Sequence, residues 1–255
     1  MLFREGGVGL TVEIEIRKFK NMNLTNGTVL EAFPSVGLVS TIASSYLIST
    51  LELDQICALE SEDFPPISMV YSTKPKFPAR IYAREDLNLA IFISEFPPPT
   101  KLHRPIAKRL LSWTMDQGCR RIISLEGLPK SGPKGKDQEP ELVGVGSNTA
   151  AREELNKSGV PQLEVGMISG VSGVLLNEGR WIDFNIISLL AEAMPNFPDA
   201  HAAAKLVEGI NKLIPEIEIE SQPLIKQAGE MEKYLEMLKE QAKPAMSEPA
   251  VRMFR

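Results

Sequence analysis

Cysteine and histidine are scarce in this sequence. Among 255 residues there are two cysteines and two histidines. Cys57 and Cys119 are far apart, stand beside apolar residues and belong to no Cys-x-x-Cys motif, so we expect two buried, reduced thiols. His103 and His201 each lie on a predicted helix without a second His or Cys at metal-ligand spacing. We therefore expect no zinc site.

Three further absences narrow the class of protein. No stretch approaches about 18 consecutive apolar residues, as a membrane-spanning helix requires, and the charged pair Arg4 and Glu5 stands where the apolar core of a secretory signal would begin. The net charge is -5 and the basic residues are scattered, so the footprint of a nucleic-acid-binding surface is missing. The sequence predicts a cytoplasmic globular protein that binds neither membranes nor nucleic acid.

Strands and helices alternate along residues 1–215. Val12, Ile14 and Ile16 alternate with charged residues, which predicts a half-exposed strand at or near a sheet edge. The other strands are predicted at 28–33, 55–60, 67–71, 80–83, 89–94, 121–125, 142–145, 162–165 and 184–189. Helices are predicted at 38–51, 100–118 with Thr100 as N-cap, 150–157, 171–177 and 198–213. This order predicts one α/β domain, a sandwich of helices around a mainly parallel or mixed sheet.

A helical appendage is predicted at 216–243. From Leu224 onward the apolar positions recur at alternating spacings of four and three, which places Leu224, Met231, Leu235 and Leu238 on one narrow seam. Charged residues cover the rest of this helix, so the seam should lie against the body or against a second copy of the chain. These four residues are the candidates for an oligomer contact.

The predicted tail, residues 244–255, ends in Met253, Phe254 and Arg255. Two prolines break the preceding helix, and the small and polar residues between them predict an extended, mobile spacer. A hydrophobic residue, an aromatic ring and a free carboxylate at such a tip suit capture in a protein pocket. We interpret the tip as a ligand for another protein; the alternative is that Phe254 packs on its own domain or is disordered.

Glycines that could cradle phosphate do not complete a motif. Gly127 and Gly132 have the separation of a P-loop, but Pro133 replaces the lysine and removes a backbone N–H. The Gly-Val-Gly at 144–146 is half of a dinucleotide fingerprint, and Thr149 stands where glycine or alanine is required. Neither segment predicts a nucleotide site, and we expect no cofactor.

A Gly/Ser turn precedes the helix predicted at 171–177. Gly166, Gly170 and Gly173 alternate with serines, and a helix start of this kind can receive an anion. Neither serine has the Gly-x-Ser-x-Gly context of a nucleophile elbow. Close packing of the turn is the favoured interpretation.

Five acids lie at or just after predicted strand ends, where α/β enzymes keep catalytic groups. They are Glu60, Glu62, Asp63, Glu95 and Glu126. No base, nucleophile and orienting group can be assembled from them, so no catalytic residue is assigned. A small-molecule site near Glu60, Glu95, Glu126 or the Gly166 to Gly173 turn stays open.

Several segments together resemble one family. They are Ala-Phe-Pro-Ser-Val-Gly-Leu-Val at 32–39, the strand and prolines from 89, the Gly-rich helix entry at 166–179 and Pro-Asp-Ala at 198–200. In order and spacing they are similar to the archaeal-type proteasome assembly chaperones, the PAC2-like proteins, which are sometimes labelled ATP-grasp. The resemblance extends through Leu213, and Ser35 departs from the glycine that is usual in the first turn.

The resemblance implies a three-layer α/β/α fold similar to nucleoside phosphorylases, a homo-oligomer, and binding to 20S proteasome α-subunits rather than catalysis. Relatives carry a C-terminal hydrophobic-tyrosine-any motif that enters pockets between α-subunits, and Met253, Phe254 and Arg255 fit its positions. Phe254 keeps the ring but lacks the hydroxyl, whose hydrogen bond would contribute about 0.5 to 1.5 kcal/mol.

Two other functions stay open. One is an enzyme with nucleoside-phosphorylase-like or ATP-dependent ligase activity, for which fold analogy is a weak warrant. The other is a purely structural homo-oligomer whose interface is the seam at 224–242.

Overall fold

The computed structural model describes residues 13–129, 139–195, 197–226 and 237. Its strands are β1 (Glu15–Lys18), β2 (Thr28–Ala32), β3 (Asp54–Glu60), β4 (Met69–Tyr71), β5 (Lys74–Lys76), β6 (Ala79–Arg84), β7 (Leu89–Ser94), β8 (Arg121–Pro129), β9 (Leu142–Gly146) and β10 (Asn185–Ala193). Its helices are α1 (Val39–Thr50), α2 (Thr100–Asp116), α3 (Thr149–Lys157), α4 (Gly170–Ile182) and α5 (Ala200–Leu213).

Eight of these strands form one mixed sheet in the order β1-β3-β6-β7-β2-β8-β10-β9. The central strands β7, β2, β8 and β10 are parallel, whereas β9 and the β1-β3-β6 side pair antiparallel. β1 lies at the sheet edge, where its alternation of apolar and charged residues places it. The strands β4 and β5 form a separate hairpin.

Helices cover both faces of the sheet, which confirms the predicted α/β/α sandwich. One apolar core joins the sheet to α1, α3 and α5, and the other joins it to α2 and α4. The amphipathic helices dictate this arrangement: α5 turns Leu206, Ile210 and Leu213 inward, and α2 turns Leu102 and Ile106 inward. Among the helices of the described ranges, none is long and apolar enough to cross a bilayer.

The chain returns across the α1 and α5 layer after α5. The Tyr46 hydroxyl donates to the Glu220 carbonyl oxygen at 2.8 Å, and the Asn211 side chain bonds both backbone groups of Ile219. Leu224, on the helical turn at 222–226, is 2% exposed within the α1 and α5 core. The described start of the predicted appendage is thus fixed to the body.

The other seam candidates, Met231, Leu235 and Leu238, lie outside the described residues, as do Met253, Phe254 and Arg255. The seam, the boundaries at 215 and 243, and the tail stay predictions.

The predicted strand at 162–165 is wrong. Only Gln162 forms a bridge, with Gly144, and two backbone hydrogen bonds tie this segment to the outer edge of β9. Pro161 has no N–H to donate, so the ladder does not extend before Gln162. The segment therefore covers an edge instead of adding a strand.

Several boundaries differ from prediction: β8 and β10 each continue four residues past the predicted end, and α4 continues to Ile182. Pro99 rather than Thr100 occupies the N-cap position of α2, and Thr100 is the first helical residue. The strand predicted at 67–71 is confined to β4, which pairs with β5 and does not join the main sheet. Apolar periodicity alone did not reveal this hairpin, because its second strand is the polar segment Lys74–Lys76.

Candidate functional site

The acids predicted at strand ends lie along one edge of the sheet. β3, β7, β2, β8 and β10 all point their carboxyl ends to that edge, where open α/β sheets bind ligands. Glu60 ends β3 and Glu126 lies on β8, four strand positions away, which corresponds to roughly 19 Å at about 4.8 Å per strand. The structure therefore divides these acids into separate groups.

The acids near β3 form exposed ion pairs. Glu60 accepts from the Arg17 guanidinium of the edge strand at 2.6 Å, and Asp63 accepts from Lys101 of α2 at 2.6 Å. Glu62 is exposed. Pairs of this kind contribute at most about 1 kcal/mol, so these acids fasten the strand end and the start of α2 and assemble no site.

A groove of about 680 Å³ lies beside these acids, between the end of β3 and the β4-β5 hairpin. Phe64, Phe77 and prolines form much of its wall.

Glu95 forms a buried ion pair with Arg80 of β6. Both side chains are less than 5% exposed, and the Tyr71 hydroxyl donates to Glu95 Oε1 at 3.0 Å. The Arg80 guanidinium lies 5.5 and 5.6 Å from the ring centres of Tyr71 and Tyr82. Since Tyr71 belongs to β4, this cluster fastens the hairpin to the sheet. Burial raises the pKa of Glu95, and the Arg80 charge opposes that rise.

Glu126 lies beside a second acid, Glu31, that the sequence analysis did not single out. Glu31 is on the central strand β2 and is 0% exposed. The Ser124 hydroxyl donates to Glu31 Oε2, and the Phe33 backbone N–H donates to Oε1 at 3.2 Å. Glu31 and Ser124 are cross-strand partners, and Glu126 follows two residues later on the same face of β8. The two acids thus lie at diagonal positions of neighbouring strands on one face of the sheet.

Burial is the main cause of the raised pKa values of Glu31 and Glu126. It raises the pKa of Glu31 to about 7, while the Ser124 and Phe33 hydrogen bonds oppose the rise. Burial and the adjacent Glu31 charge both raise the pKa of Glu126 well above its usual value. Two carboxylates this close disfavour a state in which both are ionised.

The turn between β2 and α1 is joined to β8 next to this pair. Ser35 Oγ accepts the Gly127 N–H at 3.1 Å, and a Cβ on Gly127 would lie 2.1 Å from the Val36 carbonyl oxygen. Gly37 and Leu38 both have positive φ, 65° and 51°. Leucine seldom takes that conformation, so the surrounding contacts hold the turn in a strained form.

The predicted Gly/Ser turn packs closely at Gly173, where a Cβ would lie 2.4 Å from the Ile168 carbonyl oxygen. The Ser172 hydroxyl bonds the Ser188 hydroxyl of β10 at 2.9 Å. Gly166 and Gly173 also line an open groove of about 340 Å³. Arg152 and Arg180 are part of its lining.

The two histidines and the two cysteines can each be located in the fold. His103 Nε2 lies 3.0 Å from the Pro98 carbonyl oxygen, and His201 is exposed on α5. Cys57 and Cys119 are buried free thiols, and burial raises the pKa of each to about 11. In the described ranges, no group of three or more His, Cys, Asp and Glu side chains could hold a metal ion.

The sequence profile of the PAC2 family matches residues 29–239. The chain belongs to the PAC2 family.

Among solved PAC2-like folds, PbaA of Pyrococcus furiosus, described as an archaeal homolog of proteasome-assembly chaperone, is 31% identical. The match covers 91% of this chain and 99% of PbaA, with a TM-score of 0.81. PbaB of the same organism, described as an archaeal proteasome activator, is 23% identical over 90% of this chain and 100% of PbaB, with a TM-score of 0.73. At that identity PbaB supports the fold alone.

An uncharacterized protein of Methanocaldococcus jannaschii, MJ0106, is 29% identical over 222 residues. That match covers 87% of this chain and 89% of the relative. The similarity to the PAC2 family and its relatives thus spans the body of the chain.

Among the described residues of this PAC2 family chain, the carboxyl edge holds the acid pair of buried Glu31 and half-buried Glu126, a buried ion pair and a strained turn. The Glu31 and Glu126 pair can hold and exchange a proton. Across the part of the chain that the structure describes, the acids predicted at strand ends are not joined by a nucleophile and an orienting group. The one sequence signal for Glu31 was a glutamate between the apolar residues Leu30 and Ala32 of a predicted strand.

Proposed function

We propose that this chain is an archaeal-type proteasome assembly chaperone, or proteasome-binding factor, that acts in the cytoplasm as a homo-oligomer. The observation that carries the proposal is the match to PbaA, which reaches 31% identity across 91% of this chain. The matched profile of the PAC2 family supports the same function.

We further propose that the tail docks in pockets of the 20S α-ring. Met253, Phe254 and the carboxylate of Arg255 are the docking residues, since a hydrophobic side chain, an aromatic ring and a free carboxylate are the groups such pockets capture. The contacts of Glu220 and Leu224 hold the start of the appendage, which precedes the tail in sequence, on the α1 and α5 layer. An oligomer would display several tails at once, so weak individual contacts could give useful affinity.

Two apolar cores, formed between Ile14 and Leu224 of the described residues, hold the body together. Removing Met253, Phe254 and Arg255 should therefore leave the fold and the oligomer unchanged. This separation makes the proposal testable with a short deletion.

The test is a pull-down with purified archaeal 20S α-subunits. Intact chain and chain lacking residues 253–255 are immobilised at equal density, and light scattering first compares their masses in solution. We expect equal masses of more than one subunit, retention of α-subunits by the intact chain, and loss of retention after deletion. A monomer would contradict the homo-oligomer, and undiminished retention by the truncated chain would contradict tail docking. Failure of the intact chain to bind would contradict the function itself.

A further inference from the structure

A row of polar side chains crosses the centre of the sheet on the face covered by α2 and α4. Glu31 of β2, Ser124 of β8 and Ser188 of β10 are successive cross-strand partners. All three are fully buried, and Ser172 of α4 closes the row through its bond to Ser188. Glu126 extends the row toward the carboxyl edge. A carboxyl group at the centre of a parallel sheet is costly to ionise, because apolar side chains surround it.

Among the described residues, no cationic side chain is placed to offset a negative charge on Glu31 or Glu126. The first turns of α4 carry no ionisable side chain, and on α2 His103 bonds the Pro98 carbonyl while Arg104 pairs with Glu178. Glu192 of β10 is the further acid on this face, four residues beyond Ser188. Arg80 is engaged by Glu95. Within the described ranges, the proton is therefore the species that can neutralise Glu31 or Glu126.

Hydrogen bonds connect this pair to the strained turn. Glu31 Oε1 accepts from the Phe33 N–H, and the Phe33 carbonyl oxygen accepts from Ser40 Oγ at 2.5 Å. The hydroxyls of Ser40 and Ser35 lie 2.8 Å apart, and Ser35 in turn accepts from Gly127, which follows Glu126.

The same turn reaches the start of α5. The Gly37 carbonyl oxygen accepts the Asp199 N–H at 2.9 Å, and the Asp199 carboxylate accepts the N–H groups of Met194 and Ala202 at 3.0 Å each. Hydrogen bonds and the backbone of the turn thus connect the acid pair to the beginnings of α1 and α5.

We propose that Glu31 and Glu126 form a proton-sharing latch, which holds the turn at 33–40 closed while the pair keeps a proton and opens the turn when both carboxyls are ionised. In the closed form the carboxyl that keeps its proton can donate a hydrogen bond within the pocket. When that proton leaves to solvent, the buried Glu31 carboxylate carries a negative charge beside that of the half-buried Glu126, and opening of the turn admits water to Glu31. The strain at Leu38 favours opening, since it is released at the same time.

The direction of the pH response follows from the two states. An opened turn exposes the carboxyls to water, where they ionise at their ordinary value, so opening releases a proton. For Glu31 alone, a pKa that falls from about 7 to 4.5 on opening predicts a roughly thirtyfold rise in the opened population between about pH 5.5 and about pH 8.5.

Hydrogen exchange of the full-length chain at several pH values tests the latch. Rates are divided by the intrinsic exchange rate at each pH to give protection factors, which report the opened population. We expect protection at 33–40 to fall about thirtyfold from about pH 5.5 to about pH 8.5. Protection in β7 should stay constant, because that strand is not part of the opening.

Glu31→Gln and Glu126→Gln are the variants, since each keeps the shape and removes one titration. Glu31→Gln, if it folds, should greatly reduce the pH-dependent loss of protection at 33–40, because it removes the titration of Glu31, whereas Glu126→Gln should remove only the share that the Glu126 charge contributes. The double variant should keep protection high at both pH values, and Glu60→Gln should behave as the native chain. The latch is wrong if the native turn shows no pH response, if both variants respond as the native chain does, or if β7 loses protection in parallel with the turn.

Discussion

The Arg80 guanidinium and the Glu95 carboxylate pair beneath the β4-β5 hairpin with almost no access to water. Each residue also forms a second hydrogen bond. Glu95 accepts from Tyr71 of the hairpin, and Arg80 donates to the Phe77 carbonyl oxygen. The pair therefore joins the hairpin to β6 and β7.

Removing one member of the Arg80 and Glu95 pair should lower the free energy of unfolding. In Glu95→Ala the Arg80 charge stays buried without its partner, and breaking a buried pair typically costs about 3 to 5 kcal/mol. We expect a lower urea midpoint and faster hydrogen exchange in β4 and β5. The matched control is Asp86→Ala, which removes the exposed partner of Arg84 and should change the midpoint little. Equal effects of the two substitutions would refute the role assigned to the buried pair.

Gly127→Ala should disrupt the contact between β8 and the turn before α1. The added Cβ would lie 2.1 Å from a backbone oxygen, so the turn or the strand must move. We expect a loss of about 1 to 3 kcal/mol in the free energy of unfolding, the usual cost of overpacking. Gly159→Ala is the control, because a Cβ there meets no atom within 4 Å and only the positive φ opposes it. A smaller loss for Gly127→Ala than for Gly159→Ala contradicts the close approach.

The sequence predicted the elements that depend on local apolar pattern and missed those that depend on distant partners. The run at 89–94 became β7 without change of boundary, because every residue of that strand is buried. Glu31 was not recognised, since its partner Ser124 is 93 residues away and an acid in a strand normally indicates exposure. The segment at 162–165 had the composition of a strand but only one pairing position at the edge of β9.

The candidate site was predicted in part for the same reason. Glu95 was expected just after a strand end and does follow β7, whereas Glu126 was expected just after the strand at 121–125 and lies within β8, which continues to Pro129. That Glu95 meets Arg80, while Glu126 meets another acid, depends on strand order, which periodicity does not encode. The two glutamates therefore looked equivalent in sequence and differ in the folded chain.

Glu31 should make the stability of the fold depend on pH. Its folded pKa is raised above the unfolded value, so the folded chain binds the proton more tightly, and the associated stability is lost as pH rises from about 4.5 toward about 7. In Glu31→Gln this loss should be absent. As the pH rises from about 4.5 to about 8, we expect the free energy of unfolding of the variant to increase by on the order of 3 kcal/mol relative to that of the native chain. Urea unfolding across that range measures the difference, and parallel curves would contradict the raised pKa.

Leu224 should be important for anchoring the C-terminal segment. Leu224→Ala removes a buried side chain from the α1 and α5 core, at an expected cost of about 2 to 5 kcal/mol. Limited proteolysis should then cut near residue 220 sooner than in the native chain. Native-like cleavage would show that Leu224 adds little to the anchor.

The predicted seam is tested separately by Leu235→Glu with Leu238→Glu. Charged residues on a buried seam should lower the mass in solution if the seam joins copies, and should leave it unchanged if the helix packs on its own body. Light scattering distinguishes these outcomes. An unchanged mass contradicts the seam as the oligomer interface.

The affinity of the oligomer for assembled 20S α-rings tests tail docking most directly. Dissociation constants are measured for the native chain, for Phe254→Ala, for Phe254→Tyr and for a chain with one glycine added after Arg255, which moves the carboxylate. We predict at least roughly tenfold weaker binding, or about 1.4 kcal/mol, for Phe254→Ala and for the added glycine, and equal or tighter binding for Phe254→Tyr. Four equal dissociation constants would show that the tip does not occupy an α-ring pocket.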